Sequence, residues 1–367
     1  MRKRYIVIGA VLALSASACA SSGDAQSDSP DDTIKLGISP FQDTMLPLVG
    51  EEKGWFEDQG LNVELKSLAW DAIMPAVATG SVDAAINNTT GVVSVAEKSP
   101  NIVYWYAWNP FTEGSALMGN PDSGLETIEE LEQSGLSHDE ARKQALEQLK
   151  GKTLVTTMGT DMGKQAISAL ESVGLTQDDI KLVDMNPDQG LAAFLSGTGD
   201  TYLGGIPQRT RATAEGMEVV ASGPDLAPPP INGLVTTSDY AEENEGQLLK
   251  LVNVFHRIVR YCDANTADCG EIITAQLNRD TGANLTVEGF VDFWQTFELY
   301  APNAAATKEM ILDESGVAYW KRTWDSDNDF LTASDAIAQP VSAEDHFLVD
   351  ETWQKYVAEY GEDETGY

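Results

Sequence analysis

The groups best suited to chemistry in this chain stand where apolar runs stop: Ser39, Phe41 and Gln42; Trp70 and Asp71; Asn87, Asn88 and Thr89; Trp108 and Asn109; Gly159, Thr160 and Asp161; Asp184; and Arg209. Their chemistry is recognition. Amides and hydroxyls orient a small polar molecule, an indole stacks on a flat or methylated group, and backbone amides at a helix start attract an anion. Catalysis finds no matching set: there is no G-x-S-x-G elbow, no Cys/His pair placed for nucleophilic attack and no G-x-G-x-x-G opening a helix. His138, His256 and His346 are scattered, none with a second ligand at useful spacing, so neither a metal nor another cofactor is expected.

Several of these residues have two readings. Trp70 either stacks on a ligand or serves as a core tryptophan, and Asn88 or Thr89 either binds or caps a helix. In MGTDMGK the amides of Gly159, Thr160 and Asp161 open a helix and could hold an anion. This is not a phosphate loop, because three residues rather than four separate Gly159 from Gly163 and Gln165 replaces the magnesium-binding hydroxyl. Asp161 either caps that helix or accepts a ligand ammonium. Arg209 is the best placed cation for a sulfonate or carboxylate, whereas Arg211 reads equally as a solvated charge. Asp71, Asp161 and Asp184, set against Arg209 and Lys164, predict a ligand that is zwitterionic or neutral rather than a bare dianion.

The elements that must position these groups alternate. Strands are predicted over 33–39, 62–68, 82–86 and 102–107, then 153–157, 180–184 and 201–206, with helical patterns between them. Such alternation implies parallel sheets with right-handed crossovers, and ligands in such sheets sit beyond the carboxyl ends of the strands. In YWYAWN the side chains should alternate across the strand, so one face alone sees the cleft. Residues 33–115 read as a first lobe, 116–150 as a crossover and helical insertion, 151–225 as a second lobe, and 226–367 as a return crossover followed by helices that pack on the first lobe. A capping box, Ser137 with Glu140, opens the charged helix of the insertion. Hinges are expected near 110–120 and 228–233, the second stiffened by Pro228, Pro229 and Pro230.

The chain's ends and its charge say where it works. Residues 1–18 carry a basic start (Arg2, Lys3, Arg4) and an apolar run from Tyr5 to Leu14 of ten residues, against the roughly twenty needed to span a bilayer, so they read as a signal peptide. Residues 16–19 (Ala, Ser, Ala, Cys) resemble a bacterial lipobox, which implies a lipid on Cys19 and a membrane anchor, with 19–32 as a flexible polar linker. Formal charge is −35, which excludes nucleic acid as a partner and reads as a salt-adapted surface. Cys262 and Cys269 form a close pair expected to be a disulfide between two helices.

Two blocks carry a family resemblance. EEKGWFEDQGLNVEL followed by AVATGSVDAAINN, and LKGKTLVTTMGTDMGKQAISALESVGLTQDDIKLVDMNPDQGLAAFLSGTGDTYLGGIPQ, are similar to the two lobe signatures of solute-binding proteins of the taurine, aliphatic sulfonate, nitrate and thiamine-precursor type. The resemblance implies an α/β, type II periplasmic-binding-protein fold with a ligand cleft between two lobes. It also implies an ABC importer component that captures a small solute, a sulfonate or taurine-like molecule, and delivers it to a membrane permease and its ATPase; a monomer is expected. A pyrimidine or thiamine-precursor ligand, or a sensor role, stands as the alternative, and an enzyme is not expected. Family members often carry an aromatic or acidic residue before the proline matching Pro207, where Gly205 and Ile206 stand here.

Overall fold

The computed structural model of the protein describes residues 33–367. The signal peptide, Cys19 and the linker lie outside them. Two mixed five-stranded sheets organise the chain. The first has the order β2-β1-β3-β10-β4, built from β1 (Thr33–Ile38), β2 (Asn62–Ser67), β3 (Ala84–Asn88), β4 (Ile102–Pro110) and β10 (Ile231–Thr237). The second has the order β7-β6-β8-β5-β9, from β5 (Ala116–Gly119), β6 (Thr153–Thr156), β7 (Lys181–Asp184), β8 (Thr201–Gly204) and β9 (Glu218–Ser222).

β1, β2 and β3 run parallel, as do β6, β7 and β8, but β10 and β5 are antiparallel to their neighbours. The expected all-parallel sheets are therefore corrected to mixed ones: β5 enters the second sheet directly after β4, and β10 returns to the first after the second is built. Residues 116–119, expected in a helical insertion, are β5 of the second sheet. Nothing local marks these strands, because their partners lie roughly 80 to 150 residues away.

Helices α1 (Pro47–Glu52), α2 (Trp55–Asp58), α3 (Trp70–Ala78) and α4 (Thr89–Ala96) flank the first sheet. α5 (Ile128–Gln133), α6 (His138–Glu147), α7 (Asp161–Glu171), α8 (Pro187–Leu195) and α9 (Gln208–Ala214) flank the second. The capping box of Ser137 and Glu140 opens α6, and α5 and α6 pack on β9 and α7 rather than over the cavity described below. The rest is helical: α10 (Ser238–Ala264), α11 (Thr266–Thr281), α12 (Val287–Thr296), α13 (Ala304–Thr307), α14 (Trp320–Ala333), α15 (Ala343–His346) and α16 (Val349–Tyr360). A disulfide joins Cys262 near the end of α10 to Cys269 in α11.

β4 is an edge strand buried along its whole length, because α15 and α16 cover it; Thr352 of α16 donates to the Trp105 carbonyl. Its pairing with β10 slips twice, between Asn232 and Gly233 and between Leu234 and Val235, leaving Trp108 and Trp105 without partners. The strict alternation expected for YWYAWN therefore fails. Trp105, Tyr106 and Trp108 share one core, and Trp108 stacks on Phe255 at 3.9 Å between ring centroids.

Candidate functional site

The two sheets are joined by segments 111–115 and 223–230, which lie side by side: Phe111 N–H donates to the Pro230 carbonyl (2.9 Å) and Gly223 N–H to the Ser115 carbonyl (3.2 Å). Beside this double connection, at the strand tips of both lobes, lies a cavity with about 270 Å³ of empty space, open to solvent in part. Phe41, Asp43, Thr44, Trp70, Phe111 and Asn232 line it from the first lobe and its connection, and Asp161, Met162 and Gly205 from the second.

The lobes meet around it. Trp70, the first residue of α3, donates its Nε1 proton to Asp161 Oδ1 at the start of α7 (3.1 Å). At the rim Asn186 Nδ2 donates to Asp71 Oδ1 (3.2 Å). Beyond Trp70 a second, wider groove of about 550 Å³ is lined by Asp71, Met74, Asn87, Asn88, Gly159 and Thr160 among others. The indole and Asp161 thus partition inner cavity from outer groove. A Cβ on Gly91 would stand 2.0 Å from Asn87 Oδ1, so glycine there is what lets the β3 tip close down on α4.

The ionisable side chains of the cavity lining are both carboxylates. Asp43 is 7% exposed and Asp161 4%. Burial pushes the Asp43 carboxyl up to about 7, with the Asp161 charge adding to it and the neighbouring backbone amides opposing. Burial also raises Asp161, against the side chains of Asn88 and Trp70. Asn232 Nδ2 donates to Asp43 Oδ2 (2.5 Å) and to Asn109 Oδ1 (2.9 Å), and Asn109 Nδ2 reaches the Leu299 carbonyl (2.9 Å) and Glu298 Oε2 (3.4 Å). This relay ties Asp43 to a third carboxyl, Glu298, raised well above its usual range by burial and then by the Asp43 charge.

The cations near the cleft are committed elsewhere. Lys164, one turn along α7 from Asp161, donates to Asp327 Oδ1 of α14 (2.7 Å) with the pair 1% and 0% exposed. Thr89 and Thr90 complete the set, donating to Asp327 Oδ2 (2.5 Å) and Oδ1 (2.7 Å). α14 thereby clamps α4 of the first lobe to α7 of the second. Arg209 Nη1 donates to the Glu113 carbonyl (2.7 Å) and its guanidinium lies 5.3 Å from the Phe297 ring centre.

Of the residues singled out from sequence, the structure brings Phe41, Trp70 and Asp161 to the cavity, and Asp71, Asn87, Asn88, Gly159 and Thr160 to the outer groove. Thr160, not Asp161, caps α7, accepting from Met162 N–H, and Asn88 caps α4, accepting from Gly91 N–H. Most of the others bond within the scaffold. Thr89 serves Asp327, Asn109 serves the relay, Trp108 is core, and Asp184 holds the 158 loop by accepting from Met158 N–H. Ser39 donates to the Leu68 carbonyl, and Gln42 is buried with its Nε2 unpartnered. Sequence reasoning missed Asp43, Thr44, Phe111, Met162, Asn232 and Glu298 as site residues. A loop tip at a strand end was the available signal for Asp43, which closes the loop that begins at Ser39; Asn232 and Glu298 arrive by long-range packing with none.

Known proteins share this architecture. A relative from Bacillus subtilis (strain 168), provisionally named an aliphatic sulfonates-binding protein, is 27% identical over 267 residues, 71% of this chain and 74% of its own. One from Brachyspira hyodysenteriae, provisionally named an ABC transporter periplasmic binding protein, is 25% identical over 289 residues, 77% and 80% of the two chains. The solved alkanesulfonate-binding protein SsuA from Xanthomonas axonopodis, bound to MOPS, superposes with a TM-score of 0.66 over 88% of this chain and 97% of its own at 15% identity, a likeness of fold. The fold is that of two-lobed periplasmic binding proteins, and the match to the family over residues 27–276 makes the chain a member of the NMT1-like family.

Proposed function

We propose that the protein is the extracytoplasmic solute-binding component of an ABC importer, which closes two lobes on a small polar organic solute and presents the closed form to a membrane permease and its ATPase. The observation that carries this reading is the Trp70–Asp161 hydrogen bond, which spans the lobes through two residues that both line the cavity. A solute held there touches both lobes at once, so it favours the closed arrangement by the difference in its affinity for the two. The open form dilutes that affinity, which makes the double connection at 111–115 and 223–230 a place where substitutions change binding without touching the solute.

Export by residues 1–18 and a lipid on Cys19 would hold the protein at the outer face of the cell membrane, as a monomer. The acidic surface suits a saline medium, where the Debye length falls to about 3 Å at 1 M salt; a thermal midpoint that rises with KCl is the expected result. Within the class of sulfonate and taurine-like solutes, the two carboxylates favour a zwitterion with its ammonium turned inward over a bare anion. Small-angle scattering with and without a proven binder tests the closure. A smaller radius with solute supports the reading, and an unchanged radius overturns it.

A further inference from the structure

Taking the cavity as the ligand site, we propose that the group it recognises is a small organic cation, an ammonium or amidinium head, held between Asp161 and Asp43 against aromatic walls. Five observations converge on this class. Asp161 accepts from Trp70 Nε1 and Asp43 from Asn232 Nδ2, neither carboxylate has a lysine or arginine partner among the described residues, and both residues line the cavity. Both are more than nine-tenths buried, so an uncompensated charge there is costly until a positive group arrives.

The start of α7 would be the natural seat for an anion, yet Asp161 stands at its first position and the Thr160 hydroxyl takes the Met162 amide. An incoming sulfonate meets a carboxylate where it needs a donor. Among the described residues no lysine or arginine lines the cavity, since Lys164 is neutralised by Asp327 and Arg209 rests on the Glu113 carbonyl and the Phe297 ring. The walls are Phe41, Trp70 and Phe111, whose ring faces attract cations and tolerate methyl groups. Finally, a formal charge of −35 repels anions approaching the cleft and draws cations towards it.

The test is calorimetric titration of the mature chain with ethanolammonium, tetramethylammonium and guanidinium as cations. Taurine is the zwitterion, ethanesulfonate and nitrate the anions, and an aminopyrimidine the neutral heterocycle. The expected result is binding of at least one cation, no binding of ethanesulfonate or nitrate, and a loss of roughly 10- to 100-fold in cation affinity for each of Asp161→Asn and Asp43→Asn. Thermal melting of the variants without ligand, each a single transition no lower than that of the wild type by more than a few degrees, separates lost recognition from lost folding. Binding of ethanesulfonate, nitrate or the aminopyrimidine in preference to the cations, or cation binding indifferent to both substitutions, overturns the cation assignment while leaving solute capture in place. No binding by any probe, with an unchanged scattering radius, overturns the capture reading itself.

Discussion

Two buried carboxylates meet the first turn of α7, Asp161 as its first residue and Asp327 of α14 through Lys164, and the protein treats them in opposite ways. Asp327 meets an ammonium and two hydroxyls, from Lys164, Thr89 and Thr90, and nothing is left for a ligand to do. Asp161 and, across the cavity, Asp43 receive neutral donors alone and no cation. The first arrangement is a fastening between lobes. The second is an unfinished one, and the difference separates a charge buried for structure from a charge buried for recognition.

The contrast breaks most violently at the fastening. Lys164→Met leaves Asp327 buried without its cation and should cost about 3–5 kcal/mol in urea unfolding. Asp161→Asn should move stability by no more than about 1 kcal/mol, since the amide oxygen still accepts from Trp70 and one charge near a helix start is worth that little. Equal losses in the two variants would erase the distinction.

Titration sharpens it. An Asp43 carboxyl raised from 3.8 to about 7 binds its proton more tightly when folded, so the unfolded chain holds fewer protons between those values and stability falls as pH rises from about 4 to about 7. Asp161 on α7 and Glu298 beyond α12, both raised and both facing Asp43, push the same way, and Tyr300 beside Glu298 stays protonated throughout. The difference between wild type and Asp43→Asn, measured by denaturant melts across that window, should shrink towards acid; a flat difference would contradict the assignment. The smallest effect is expected at the exposed rim, where Asp71→Ala loses one hydrogen bond from Asn186 and should shift the melting free energy by less than about 0.5 kcal/mol.

How much of this was legible in the sequence depends on what encoded it. Strand tips followed by helix starts are local patterns, and they led to Phe41, Trp70 and Asp161, the residues that bridge the cavity. The capping box of α6 was legible for the same reason. The returning strands β5 and β10 were not, because each pairs with segments distant in sequence, and β10 is what brings Asn232 to Asp43. Trp108 was misplaced by a bulge in β4, a one-residue slip that turns a side chain to the other face. Lys164 and Arg209 read as cations for a ligand because a sequence lists charges without their partners.

Proton exchange on binding tests the central claim most directly. Ethanolammonium titrated near pH 7 in buffers of different ionisation heat should release protons, as the arriving cation ionises Asp43, and the release should vanish in Asp43→Asn. Proton uptake, or none, would mean that the cavity was built for a group of another charge.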